Sequence, residues 1–166
     1  MKIIILHAGK TGTTEKCAGL LAAELCKNEN VECEVYPVLR APASLSGYDA
    51  IVLGSAVRMG MFHKDMSSFI KNNAAMLLRS PAAYYCCCGF PDRAEEFFEA
   101  GLGHALRSHA LAAACFGGEM DLSKQKGFEK LIVRMVGTQF KDKPAPAIDE
   151  AAIAQFAEKL YEKVSL

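Results

Sequence analysis

The sequence predicts an α/β protein: a doubly wound, five-stranded parallel sheet with helices on both faces. Short apolar runs, each too brief for a helix, recur along the chain and are bounded by glycine, proline or other turn residues. Amphipathic stretches of helical length separate them. Alternation of this kind needs crossover connections, which are right-handed and cover both faces of a parallel sheet.

Taken in order, Lys2 to His7 is β-branched and apolar, as in a strand buried on both faces. Thr13 to Lys27 carries Cys17, Leu20, Leu21, Ala23 and Leu25 near helical spacing, with threonines before it as caps. Val31 to Val35 alternates apolar and acidic residues like an edge-side strand, and Pro37 and Ala41-Pro42 mark the following loop. Ala50 to Leu53 is the third strand, ending at Gly54. Phe62, Met66, Phe69, Ile70, Met76 and Leu77 place a helix over 62–78, stopped by Pro81. Ala82 to Cys88 is the fourth strand, broken by Gly89-Phe90-Pro91, and Asp92 is positioned to cap a helix running to about Ser108. Ala110 to Phe116 is the fifth strand, and Ala151 to Val164 a closing amphipathic helix. Between these lie a proline-punctuated loop over 141–146 and a basic amphipathic helix over 121–137. The latter, with Lys124, Lys126, Lys130 and Arg134, is a surface helix packed on the sheet or one that rests on a membrane or partner.

With 166 residues, of which 51% are hydrophobic and 23% charged, a single core and a single domain over 1–166 are expected. Nineteen basic residues balance nineteen acidic ones, which removes the electrostatic footprint of a nucleic-acid binder. Met1 to Leu6 is too short for a secretion signal and no stretch approaches a membrane span, so a cytoplasmic location is expected. Seven cysteines without C-x-x-C pairs read as reduced thiols, and the triplet Cys86-Cys87-Cys88 as core packing. Neither the histidines nor the cysteines show a metal-ligand spacing, so no metal is expected. With no G-x-S-x-G elbow and no acid–base dyad, no catalytic side chain is assigned.

Open α/β sheets bind ligands at the carboxyl ends of their strands, so the loops there carry the chemistry. His7-Ala8-Gly9-Lys10-Thr11-Gly12-Thr13-Thr14 concentrates glycine, hydroxyls and free amides at a helix N-terminus, which is the chemistry of a phosphate cradle. It lacks the Lys of a G-x-x-x-x-G-K-[ST] loop and the G-x-G-x-x-G of a dinucleotide fold. With Gly12, Thr14 and Ala18 in place, the segment resembles the flavodoxin family, although His7 replaces a common aromatic and Gly9 a common Ser or Thr. Tyr48 to Gly60 with Phe62-His63, and Phe116-Gly117-Gly118, are especially similar to the menaquinone-dependent protoporphyrinogen oxidase branch of that family. That branch carries a basic insertion after its fourth strand, whereas Gly89 to Ser108 here is short and acidic.

The resemblance implies a flavodoxin-like fold, FMN as cofactor and electron transfer to a redox partner protein or small organic substrate. It implies an FMN phosphate on Gly9, Lys10, Thr11, Gly12, Thr13 and Thr14. The ring would lie between Ser55, Ala56, Val57, Arg58, Met59 and Gly60 on one side and Cys88, Gly89, Phe90 and Asp92 on the other. As an alternative it implies an FMN-dependent dehydrogenase or oxidase of a tetrapyrrole or another organic substrate; since fold does not fix function, a flavin-free binding module on the same scaffold is a second alternative.

Overall fold

The computed structural model describes residues 1–118 and 147–166, so the basic segment over 121–137 and the loop over 141–146 lie outside the described residues. The strands are β1 (Lys2–Ala8), β2 (Glu32–Pro37), β3 (Ala50–Arg58), β4 (Met61–Phe62), β5 (Ala82–Cys87) and β6 (Ala113–Cys115). The helices are α1 (Thr13–Leu25), α2 (Lys64–Leu77), α3 (Ala94–His109) and α4 (Glu150–Val164). Five of the strands form one parallel path in the order β2-β1-β3-β5-β6, and β4 pairs antiparallel with β3. The order reverses between β1 and β3, which opens the crevice of a doubly wound sheet at their carboxyl ends.

Two cores cover the sheet. On one face α1 and α4 pack Cys17, Leu21, Phe156 and Leu160 against Ile3, Ile5, Val52 and Tyr85. On the other, α2 and α3 pack Met66, Ile70, Phe98 and Leu106 against Ile4, Leu6, Leu53 and Tyr84. The period-two alternation of each strand divides it between the two layers, and for that reason the runs are apolar throughout. Within this packing the Tyr84 hydroxyl is buried with no partner among the described residues, and burial pushes its pKa up to about 12.

The structure departs from the sequence expectation at several boundaries. Among the described residues there are six strands rather than five, because β3 does not stop at Gly54 but continues to Arg58 and folds back as β4. Gly54 looks like a breaker, yet its missing side chain makes room for Tyr85: a Cβ there would lie 1.9 Å from the Tyr85 Cζ. Phe62 therefore belongs to β4 and not to a helix. α2 begins at Lys64, where the His63 side chain accepts the Asp65 N–H. Asp92 caps nothing; it is exposed in a 3-10 turn over Pro91–Arg93, and α3 follows without a side-chain cap and breaks its helical geometry at Gly103. β6 is shorter than the apolar run that encodes it, and α4 is capped by Asp149, whose Oδ1 accepts the Ala152 N–H at 2.9 Å. Among the described residues no helix is long and apolar enough to cross a membrane.

Candidate functional site

The crevice at the carboxyl ends of β1 and β3 is framed by two segments. The first joins β1 to α1 through Gly9, Lys10, Thr11 and Gly12. Gly12 is the N-cap of α1 at φ 87°, and as a glycine it brings no capping side chain of its own. A helix N-terminus of this kind presents backbone amides and the positive end of the helix dipole, which suit an anion. Gly9, Lys10 and Gly12 are exposed and Thr11 and Thr13 half-buried around this turn.

Thr14 behaves differently from its neighbours. Its side chain is only 2% exposed and lies against Gly9 and the Cys87 thiol. A Cβ on Gly9 would meet the Thr14 Oγ1 at 2.7 Å and the Ala56 Cβ at 3.4 Å. The glycine that replaces a family hydroxyl at position 9 thus has a steric reason, since a buried β-branched neighbour cannot move aside. The β1–β3 pairing, which runs to Ala8↔Ser55, sets the first loop beside β3. The Thr14 carbonyl accepts the buried Tyr85 hydroxyl at 2.8 Å, and the Tyr85 ring stacks on Phe116 with centroids 4.6 Å apart. The start of α1 is thereby fixed to the middle of the sheet.

The second segment is not the open loop that its glycines suggest. Ser55, Ala56, Val57 and Arg58 are strand residues, and Met59-Gly60 is a two-residue hairpin turn with φ of 51° and 78°. Positive φ at both positions is the requirement of a type I′ turn, for which Asn-Gly is the usual pair. Val57 pairs with Phe62 and Arg58 with Met61. Ser55 is 1% exposed; its Oγ donates to the Ala56 carbonyl at 3.0 Å and accepts the His63 N–H at 2.9 Å, so it anchors the base of the hairpin to α2. Phe62 fixes the other arm, edge-on to Phe98 at 6.1 Å. Met59 and Met61 at the tip are 82% and 66% exposed.

Beyond β5, Gly89 and Phe90 are half-buried and Asp92 exposed. The Cys88 side chain faces the α2/α3 core, toward Cys86 and Cys115, so the backbone rather than the thiol of Cys88 is presented at the strand end. The Cys88 N–H donates to the Gly117 carbonyl at 2.9 Å, joining the ends of β5 and β6. His7, beside Gly54 in the register of β1 and β3, is buried near the end of β1. It is 7% exposed and burial lowers its pKa, with nearby Glu15 pulling the other way.

Two features escaped the sequence. The hairpin was hidden because Met-Gly is not a turn signal, and the inward Thr14 because only the fold puts Cys87 beside it.

The profile of the Flavodoxin domain family matches residues 4–146. The chain belongs to that family. Curated relatives include the protoporphyrinogen IX dehydrogenase [quinone] of Escherichia coli K12, 34% identical over 86 residues, which is 51% of this chain and 47% of the relative. The chain thus spans about half the length of the curated relatives it matches. Among solved structures, a two-electron reduced flavodoxin of Megasphaera elsdenii aligns with 96% of this chain and 98% of its own at TM-score 0.58 and 13% identity. Oxidised flavodoxin 1 of Bacillus cereus aligns with 98% of each chain at TM-score 0.54 and 17% identity. Both likenesses describe the fold.

Proposed function

We propose that the crevice binds FMN and that the protein is an electron carrier of the flavodoxin kind. The observation that carries this reading is the glycine-capped N-terminus of α1, set beside β3 by the β1–β3 pairing that runs to Ala8↔Ser55 and tied to β5 by the Tyr85–Thr14 hydrogen bond. Amides fixed before the ligand arrives lose little entropy on binding, which is what a phosphate site needs. Lys10, Thr11 and Thr13 surround the same turn and would hold the phosphate. Arg58, Met59 and Gly60 of the hairpin and the Cys88–Phe90 backbone would border the ring. FMN would supply the redox chemistry, as a cofactor that exchanges one or two electrons.

The protein's own contribution is then positional and electrostatic. Met59 supports this division of labour: an exposed apolar side chain held at positive φ is disfavoured on both counts, and such positions persist mostly where a ligand uses them. The partner would be a redox protein in the cytoplasm, and the unpaired state of all seven cysteines agrees with a reducing compartment. Protein purified and desalted after incubation with excess FMN should retain near-stoichiometric flavin absorbance; colourless protein would reject the reading.

A second reading, an FMN-dependent dehydrogenase acting on a protoporphyrinogen-type substrate, is favoured by the identity shared with the Escherichia coli relative. Anaerobic turnover of protoporphyrinogen with a quinone acceptor tests it. Flavin-loaded protein that gives no turnover would leave the carrier reading alone.

A further inference from the structure

We propose that Cys86, Cys88 and Cys115 form a three-thiolate site for a single soft d¹⁰ metal ion of the monovalent-copper class. The three sulfurs all lie within 4.8 Å of one another, and the Cys88 and Cys115 sulfurs are 3.5 Å apart. Sheet geometry assembles them: Cys86 and Cys88 stand two residues apart and so share one face, and Cys115 is the register partner of Cys86 on β6. The site is separate from the proposed flavin crevice, because these side chains face the α2/α3 core.

Magnitudes favour a metal over mere proximity. With metal–sulfur bonds of about 2.3 Å, three sulfurs in one plane around an ion stand about 4 Å apart. The 3.5 Å separation and the 4.8 Å limit bracket that value, so small side-chain rotations complete the triangle. The donor set also selects the ion. Among the described residues no histidine or carboxylate joins the three thiols, whereas structural zinc takes four ligands. Thiolates alone, in a buried place, suit monovalent copper best.

Two backbone donors reach the cluster. Backbone N–H groups of Phe90 and Gly117 point at the sulfurs of Cys88 and Cys115 respectively. On binding, the protons of Cys86, Cys88 and Cys115 pass to solvent as three sulfur–metal bonds replace the three S–H bonds. Cys86 is fully buried and Cys88 nearly so, while Cys115 is half-buried and gives the ion its way in.

The test is anaerobic titration of the reduced, flavin-free protein with copper(I) delivered as its bicinchoninate complex, followed by X-ray absorption at the copper edge. The chain has competing thiol pairs, Cys17 with Cys87 and Cys26 with Cys33, so the sulfur count decides. Three sulfurs at about 2.3 Å are expected. Cys115→Ser should weaken retention by at least about ten- to hundredfold, the loss typical of even an outer-shell defect, while Cys26→Ser leaves it unchanged. Two sulfurs per ion, loss of the ion on Cys26→Ser, or failure to compete with bicinchoninate would overturn the proposal. Should Cys115→Ser fail to fold, the sulfur count of the unaltered protein still decides. The ion should be held equally with and without FMN, so failure of the flavin reading leaves this result standing.

Discussion

Replacing Gly54 by alanine tests how the crevice is held together. The new Cβ would lie 1.9 Å from the Tyr85 Cζ and 2.2 Å from its Cε1, whereas carbon atoms rest about 3.5 to 4.0 Å apart, so the ring must yield by well over 1 Å. It has nowhere to go. Phe116 stacks on it at 4.6 Å, and its hydroxyl is committed to the Thr14 carbonyl at 2.8 Å. Overpacking of a tight core costs about 1 to 3 kcal/mol, and losing the hydroxyl's hydrogen bond adds about 1, so Gly54→Ala should destabilise the fold by about 2 to 4 kcal/mol. With urea m-values of about 1 to 3 kcal/mol/M, that is a midpoint shift of roughly 1 to 2 M at mid-range. Equilibrium urea unfolding, followed by far-UV circular dichroism, measures it. The double variant Gly54→Ala/Tyr85→Val removes the ring and should be less destabilised than the sum of the two single changes. A Gly54→Ala protein within about 1 kcal/mol of the parent, or strictly additive single changes, would refute the view that Gly54 exists to admit Tyr85.

Four further outcomes follow from the same geometry. Ser55→Ala should cost about 1 kcal/mol in urea unfolding while leaving FMN affinity unchanged; a selective loss of affinity would show that Ser55 touches the ligand rather than anchoring the hairpin. Met59→Asn should stabilise the fold by up to about 1 kcal/mol in thermal unfolding, because Asn accepts positive φ, and unchanged or reduced stability would contradict the strained turn. Tyr84→Phe removes a buried hydroxyl without a partner and should be neutral or stabilising by about 1 kcal/mol, so a clear loss of stability would reveal a partner for that hydroxyl. Burial lowers the His7 pKa, so between the folded and unfolded values the unfolded chain binds more protons and stability falls as pH drops below about 6.5. His7→Gln should flatten that part of the stability–pH profile, and a profile with the same slope would assign it to other groups.

The alternating framework was legible because each strand is buried on both faces, so its apolar run is unbroken, and because the helices keep polar outer faces. The turn between β1 and α1 was legible for a different reason: glycine and threonine between a strand and a helix mark a local turn. What stayed hidden depends on neighbours remote in sequence. Gly54 reads as a stop, but its role is set by Tyr85, a residue that only sheet pairing brings across from it. Thr14 reads as a phosphate hydroxyl until α1 turns it toward Cys87. The cysteine triplet reads as packing because Cys115, far along the chain on β6, completes the cluster only when the two strands pair.

Titration of flavin-free protein with FMN and, in parallel, with riboflavin tests the central claim most directly, since the two ligands differ only in the phosphate. Charge-assisted hydrogen bonds contribute about 1.5 to 3 kcal/mol each and about 1.4 kcal/mol is a tenfold change, so the account predicts FMN bound one-to-one and at least about tenfold more tightly than riboflavin. Equal affinities, or binding of neither, would contradict it.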